Sequence, residues 1–326
     1  MRAVMAVDGW PGRGAEDSLG AVDAAAAARE AWLAARPATE IAVLAVADGS
    51  PRTPDVLPGA RSRAGGADVI EGPGGLWLAP ATGAQRWNPH DLSTALLGLA
   101  AAGERRTVHI PLGDEDPAGD AVDVWGANLA ALRAGLAPLA MLALVGSSRP
   151  LLGFHGMSSA VRDGREADAA LALAAQEQER RWTAVALEGD AVAGAASLVG
   201  PSRLSDAPGA GAASGLAYCL AALGARLTPG AAYVVEALGL GEAARGADVL
   251  VAVTAELTPR TLDVGIASAV AAQAARAGIP ATALSSGVRV GKRDLMAAGL
   301  ASAHEAPPGP AGLEDGVRRL AQTWAR

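Results

Sequence analysis

Residues 208–251 read PGAGAASGLAYCLAALGARLTPGAAYVVEALGLGEAARGADVLV. Glycine and proline clustered over 200–215 interrupt regular structure. The apolar segment 216–224 then reads as a helix, 233–238 as a strand or the start of a helix, 240–246 as a helix and 249–253 as a strand. The glycine run at its head has two readings. It can aim a helix N-terminus at an anion, which makes Gly209, Gly211, Ser214 and Gly215 candidate binding residues. It can equally serve close packing, since glycine lets backbones approach. Cys219, the only cysteine, lies inside LAYCLAAL, where a thiol behaves as a small hydrophobe and no internal disulfide is possible.

Working outward, the same alternation continues in both directions. Residues 3–7, 41–46, 67–71, 76–78, 107–112, 142–145 and 280–285 read as strands, the third and fourth around a Gly-Pro-Gly-Gly turn. Residues 21–35, 93–102, 124–134, 168–182, 261–277 and 313–325 read as helices, rich in Ala, Leu, Glu and Arg. Strands alternating with helices predict an α/β protein with parallel sheets, because parallel neighbours need a helical crossover.

The chain has 326 residues, half of them hydrophobic, which suits two domains with sizeable cores. No uncharged apolar run approaches the roughly 18 residues of a membrane helix, and no basic segment leads into a signal-peptide core. A cytoplasmic protein with no membrane partner is expected. The net charge is −7 and basic residues are scattered, which disfavours nucleic acid as a partner. His90, His109, His155 and His304 lie too far apart for metal-ligand spacing. Lys292 is the only lysine, and the run GVRVGK at 287–292 lacks Walker spacing and places Arg293 where a Mg²⁺-holding Ser or Thr would stand.

The stretch 208–251 resembles a segment of the glycerate kinase family in which PGGGAAGG opens a helix and is followed by GA-x-L-x-PG and ALGL-x-E. Other segments are similar in the same order. Val46-Ala47-Asp48-Gly49 resembles the start of the family's VADGGEGT loop, and Val69-Ile70-Glu71 with Gly74-Gly75-Leu76 its IEMA-x-ASGL segment. Arg86, Asn88 and Pro89 resemble its R-x-P-x-x-T region, and the run from Pro150 to Val161 its NPL-x-G-x-x-GA-x-x-V loop. The resemblance implies two α/β domains, one built from both chain ends (1–66 with 216–326), the other inserted (67–215), with ligands in the cleft between them. It implies ATP-dependent phosphorylation of glycerate or another small hydroxy acid, with ATP and Mg²⁺ as cofactors if the chain is active. Asp8, Asp48 and Glu71 are then the catalytic candidates, and Gly49 and Asn88 join the glycine run as substrate- or anion-binding candidates.

Phosphoryl transfer needs donors for phosphate oxygens, cations for the developing charge and a base for the attacking hydroxyl. Several loops that carry these in the family differ here. Asp8 is followed by Gly-Trp-Pro-Gly in place of Ser-Phe-Lys. The family's GGS-x-TNDGG loop is replaced over 112–120 by LGDEDPAGD, with four carboxylates. A carboxylate about 5 Å from a phosphate charge costs about 3 kcal/mol at an effective dielectric of about 20. Such a loop repels a nucleotide unless Asp114 and Asp116 hold a cation, the metal-site alternative to a merely solvated loop. The family's CD-x-TNPL reads VGSSRPL over 145–151, so an aspartate becomes Gly146 and an asparagine Arg149. Two functions follow as expectations. One is an ATP-dependent kinase; the other, favoured by the overwritten loops, is a non-catalytic binding or regulatory paralogue.

Overall fold

The structure is a computed structural model that describes residues 1–158, 169–194 and 203–324. The chain begins with β1 (Arg2–Val7), α1 (Ala21–Ala35) and β2 (Glu40–Ala45). It continues through β3 (Arg61–Ala64), β4 (Ala67–Gly72), β5 (Gly75–Pro80), α2 (Pro89–Ala101), β6 (Thr107–Gly113), α3 (Leu129–Leu136) and β7 (Met141–Val145). Next come α4 (Ala169–Ala193), α5 (Leu216–Ala222), β8 (Arg226–Pro229), α6 (Gly230–Ala237) and α7 (Leu240–Ala243). The last stretch holds β9 (Val249–Leu257), α8 (Pro259–Val264), α9 (Ile266–Ala277), β10 (Ala281–Val288), α10 (Lys292–Ala297), β11 (Ser302–Glu305) and α11 (Pro310–Trp324).

Two compact units result: Met1–Asp48 with Ala231–Arg326, and Gly49–Gly230. These limits differ from those read in the sequence, 66/67 and 215/216. Residues 61–64 pair with β4, and 226–229 add β8 to β7, so both segments go with the second unit.

The first unit is an all-parallel sheet in the order β11-β10-β9-β1-β2. Central strands of such a sheet are covered on both faces and need apolar side chains throughout. That accounts for β1, where residues 3–7 are fully buried. Ala3, Met5 and Val7 face α1 and α11, while Val4 and Ala6 share a core with α6, α7 and α9. In α11 the buried Leu313, Val317, Leu320 and Ala321 fall at helical spacing. Gly316 lies where a Cβ would come within 2.8 Å of Ala306 Cβ and 2.9 Å of Leu284 Cδ1, so this helix approaches the sheet too closely for any side chain there.

The second unit is a six-stranded sheet, β3-β4-β5-β6-β7-β8, parallel from β5 to β8. Its β3-β4-β5 margin is antiparallel, so the sheet is mixed rather than purely parallel. The Gly-Pro-Gly-Gly turn joins β4 to β5, with Gly74 at φ 78°. Two buried tryptophans of this unit find acceptors for their indole N–H groups: Trp87 donates to Pro111 O at 2.6 Å and Trp125 to Cys219 O at 2.8 Å. Cys219 itself is fully buried, and burial pushes its thiol pKa well up, which leaves it unreactive.

Four elements escape the sequence reading: β3, β8, α10 and β11. The three strands are four residues each, polar and at or near sheet margins, where no alternating apolar pattern is required. The helix expected over 261–277 is two helices, broken at Gly265. That residue is extended, and a Cβ on it would strike Thr261 O at 2.4 Å. The helix expected from 124 starts later, because a 3-10 turn over Ala121–Trp125 ends at Gly126 with φ 60°. The helix expected over 168–182 runs on to Ala193, and residue 168 lies outside the described residues.

Two outcomes follow. Val at position 316 gains a few tenths of a kcal/mol in helix propensity over glycine but overpacks the interface, a cost of about 1–3 kcal/mol. Gly316→Val should therefore lower the urea midpoint without changing the m-value. The second concerns His109, stacked on Trp77 at 4.4 Å with its Nδ1 3.0 Å from Leu76 O. Burial lowers its pKa below the ordinary 6.5, against a smaller opposing effect of that hydrogen bond. The unfolded chain then binds the proton more readily, so this contribution to stability is complete above about pH 6.5 and is lost as pH falls below it. Melting temperature should drop between pH 7.5 and 5.5, and His109→Gln should flatten that slope.

Candidate functional site

In the second unit the carboxyl ends of β6 and β7 meet through main-chain bonds. Gly113 N–H donates to Gly49 O at 2.9 Å, and Gly146 N–H donates to Gly113 O at 2.8 Å. Gly113 has φ 58°, and a Cβ there would lie 2.9 Å from Ser50 Cα. A Cβ at Gly146 would lie 2.9 Å from Gly113 C and 3.0 Å from Asp114 N. Position 146, where the resemblance leads one to expect an aspartate, is therefore closed to any side chain by this backbone crossing.

The acidic loop leaves β6 at this crossing. The Asp114 carboxylate accepts from Arg149 Nη2 at 2.8 Å and from Ala213 N–H at 3.2 Å. Side-chain exposure is 10% for Asp114 and 24% for Arg149, so the pair is largely shielded from water. Asp116 accepts from the Ser214 hydroxyl. Asp120 caps the Ala121–Trp125 turn through Val122 N–H at 3.1 Å and pairs with Arg181 of α4. Burial works to raise the Asp120 pKa, but the bonds from Arg181 and Val122 outweigh it and the net shift is downward. Glu115 borders a hollow of ≈ 350 Å³ together with Gln85, Arg86, Asp114 and Asp116. A second hollow, ≈ 570 Å³, is lined by residues including Asp116, Asp120, Glu177, Arg181, Trp182 and Ser214.

The run 209–215 packs against this loop. The N–H groups of residues 210, 211, 212, 213 and 215 donate to Ala207 O, Arg149 O, Gly209 O, Asp114 Oδ1 and Ala212 O. Five donors that could cradle an anion are thus already used inside the chain. Added Cβ atoms would meet Val145 Cγ2 at 2.7 Å from Gly209, Pro150 O at 2.5 Å from Gly211 and Trp182 Cη2 at 2.3 Å from Gly215. These distances are those of close packing. Ala213 and Ser214 both take left-handed backbone conformations, φ 51° and 50°, ahead of Gly215 at 87°. Each such non-glycine residue costs of order 1–3 kcal/mol and persists only where its surroundings over-determine it. Here Asp114 holds the Ala213 N–H and Asp116 the Ser214 hydroxyl.

Asp114, Asp116, Gly209, Gly211, Ser214 and Gly215 are therefore brought into one cluster. Two other candidates are placed differently. The β4–β5 hairpin sets Glu71 opposite Leu76, at the end of the sheet where β5 and β6 begin, away from the loops after β6 and β7. There it makes an exposed pair with Arg106, 3.0 Å, beside Glu104, whose pKa the Arg106 side chain holds down to about 2. Glu71 is thus not brought into the cluster around Asp114. Asn88 is the N-cap of α2; its side chain accepts from His90 N–H at 2.9 Å and Asp91 N–H at 3.2 Å, a structural duty. Gly49 has φ 88° and supplies its carbonyl to Gly113.

Among the described residues no group of three or more His, Cys, Asp or Glu is placed to hold a metal ion. The donors around Asp114 and Asp116 include a guanidinium and a main-chain N–H, which cannot ligate Mg²⁺ and compete with it for the carboxylate oxygens. Arg181 and the structural use of Arg149 are not apparent in the sequence. Arg149 stands out there only as the residue replacing an expected asparagine.

Asp8 and Asp48 belong to the first unit. Asp8 follows β1; its N–H donates to Val253 O at 2.9 Å and its carboxylate accepts from Gly9 N–H at 2.7 Å. Asp48 follows β2, whose exit is tied by Val46 N–H to Val7 O at 2.8 Å. In the order β11-β10-β9-β1-β2 the winding reverses between β9 and β1, with α1 on one face and α9 on the other. Open α/β sheets bind ligands at the carboxyl ends beside such a reversal, which is where Asp8 lies.

The model of the glycerate kinase family matches residues 118–326, more than half of the chain. Two uncharacterized proteins, Mb2228c of Mycobacterium bovis and MT2261 of Mycobacterium tuberculosis, are each 28% identical over 317 residues, covering 88% of this chain and 80% of theirs. The crystal structure of a glycerate kinase 2 candidate from Salmonella typhimurium LT2 matches with a TM-score of 0.64 at 18% identity, over 99% of this chain and 96% of that one. That structural likeness carries the fold, and the family match carries the membership. This chain belongs to the glycerate kinase family.

Proposed function

We propose that this chain is a glycerate kinase family protein that has lost phosphate transfer from Mg-ATP and serves as a non-catalytic binding or regulatory member. The observation that carries the reading is the state of the 209–215 run, whose N–H groups at five positions are already donated within the chain. A phosphate cradle needs such groups turned outward, with nothing negative beside them. Here the neighbours are Asp114 and Asp116, and their partners are Arg149 and Ser214. Mg²⁺ does not fit that loop as it stands, so no step is routed through a metal.

A second reading rests on the first unit. Asp8 after β1 and Asp48 after β2 sit where ligands of open α/β sheets bind, and Asp8 lies beside the reversal of winding. Their carboxylates could serve an ATP-dependent kinase for glycerate or a similar hydroxy acid, with Asp8 or Asp48 as the base that takes the hydroxyl proton.

Calorimetric titration with Mg-ATP, with and without glycerate, separates the two. A flat trace from cooperatively folded protein is the expected result, and a coupled assay at millimolar glycerate should stay at the buffer background. A saturable isotherm with turnover would overturn the proposal in favour of the kinase. In that event Asp8→Asn should lower kcat by about 10²- to 10⁴-fold, the usual cost of a lost general base.

A further inference from the structure

We infer that the chain pairs with a second copy of itself through β2, the two β2 strands running antiparallel across a two-fold axis. β2 is an edge strand of the first unit, and among the described residues it pairs only with β1. Its inward side is fixed by Glu40 N–H, which donates to Met1 O at 3.2 Å, and by Val46 N–H, which donates to Val7 O at 2.8 Å. Successive residues of a strand turn their N–H and C=O groups to opposite sides. Ile41, Val43 and Ala45 therefore turn theirs away from β1, where no described residue bonds to them. Natural sheets guard such edges with short length, charge or proline. The other three edges here carry those guards: β3 is Arg-Ser-Arg-Ala, β8 is four residues ending at Pro229, and β11 is four residues ending in His304 and Glu305. β2 has six residues, with its one charge at the first position and no proline. Residues 41–45 are half-buried and apolar on both faces. Ile41, Val43 and Ala45 pack on the core with α1, and Ala42 and Leu44 on the core with α9.

A second copy is the occupant because this edge complements itself. With Val43 opposite the partner's Val43, Ile41 falls opposite the partner's Ala45 and Ala42 opposite the partner's Leu44. Opposed residues that turn toward each other exchange both main-chain bonds. Every outward N–H and C=O of Ile41, Val43 and Ala45 then finds a partner. A shift of two residues in either direction leaves Ile41 or Ala45 without an opposed strand residue. On each face a larger side chain meets Ala, apart from the central pair of valines. Glu40, already paired with Arg2 at 3.1 Å, falls opposite the partner's Val46, so no charge meets a charge. The two-fold uses the one unguarded edge of each copy, and growth stops at two. Each copy contributes one strand of about 20 Å, less than fills the roughly 1,600 Å² of a standard interface. A dimer of micromolar rather than nanomolar strength is expected.

The test is sedimentation equilibrium of the full chain from about 1 to 200 μM, a range that brackets micromolar association. Mass should rise from one copy to two and stop there. Val43→Pro removes an outward N–H and no bond to β1, since proline is tolerated on an edge strand. That variant should stay a single copy, or weaken the dimer at least about tenfold, while still melting cooperatively. A single copy throughout the range would overturn the inference. So would growth beyond two, or a folded Val43→Pro that dimerises as the unaltered chain does. Should Val43→Pro not melt cooperatively, amide hydrogen exchange of the unaltered chain decides. The N–H groups of Ile41, Val43 and Ala45 should slow in step with the dimer fraction, while those of Ala42 and Leu44 are slow at every concentration. Fast exchange at 41, 43 and 45 in the dimer would put the contact elsewhere. Slow exchange there in the single copy would mean that the edge is already covered, and either result would overturn the inference.

Discussion

The second unit turns on a main-chain crossing in which Gly49 O receives Gly113 N–H and Gly113 O receives Gly146 N–H. These bonds draw the exits of two neighbouring parallel strands together until no Cβ fits at position 113 or 146. Everything beyond the crossing follows from that closeness. Asp114 emerges with its carboxylate already within reach of the loop after β7, and Arg149 on that loop meets it at 2.8 Å. The 209–215 run is pressed against the same place, with glycines wherever a side chain would collide with Val145, Pro150 or Trp182.

Electrostatics then decides what such a loop can hold. Four carboxylates over 114–120 would repel one another and any phosphate if they were merely solvated. They have specific partners instead: Asp114 has Arg149 and Ala213 N–H, Asp116 has Ser214, and Asp120 has Arg181 and Val122 N–H, for example. Their charge is spent on fixing backbone, including two left-handed residues that would otherwise relax. A loop so employed is held as a piece of structure by these bonds. The first unit keeps the more usual arrangement, with carboxylates following adjacent parallel strands and the winding reversed beside Asp8.

Much of the architecture was legible because the forces that shape it are written locally. Continuous apolar runs such as 3–7 and 249–253 can only be strands covered on both faces, and the Ala-rich segment 21–35 is a helix to the residue. The short polar strands Arg61–Ala64, Arg226–Pro229 and Ser302–Glu305 carry no such pattern. They exist because a neighbouring strand offers hydrogen bonds, and that offer is invisible in their own residues. The break at Gly265 is similar: glycine is tolerated in a helix, and only the collision with Thr261 O makes it a boundary.

By itself the sequence determined the α/β class, the family to which the chain belongs and the presence of an unusually acidic loop. Those are properties of composition, periodicity and motif order, which survive without coordinates. Tertiary structure alone decided what the acidic residues do. A hairpin puts Glu71 at the end of the sheet opposite the acidic loop, and Asn88 caps a helix. Asp114 was joined to donors 35 and 99 residues away. The reason is physical: a carboxylate's role depends on which donors lie within about 3 Å, and for residues so distant in the chain that distance is set by how the strands stack, not by their neighbours in sequence.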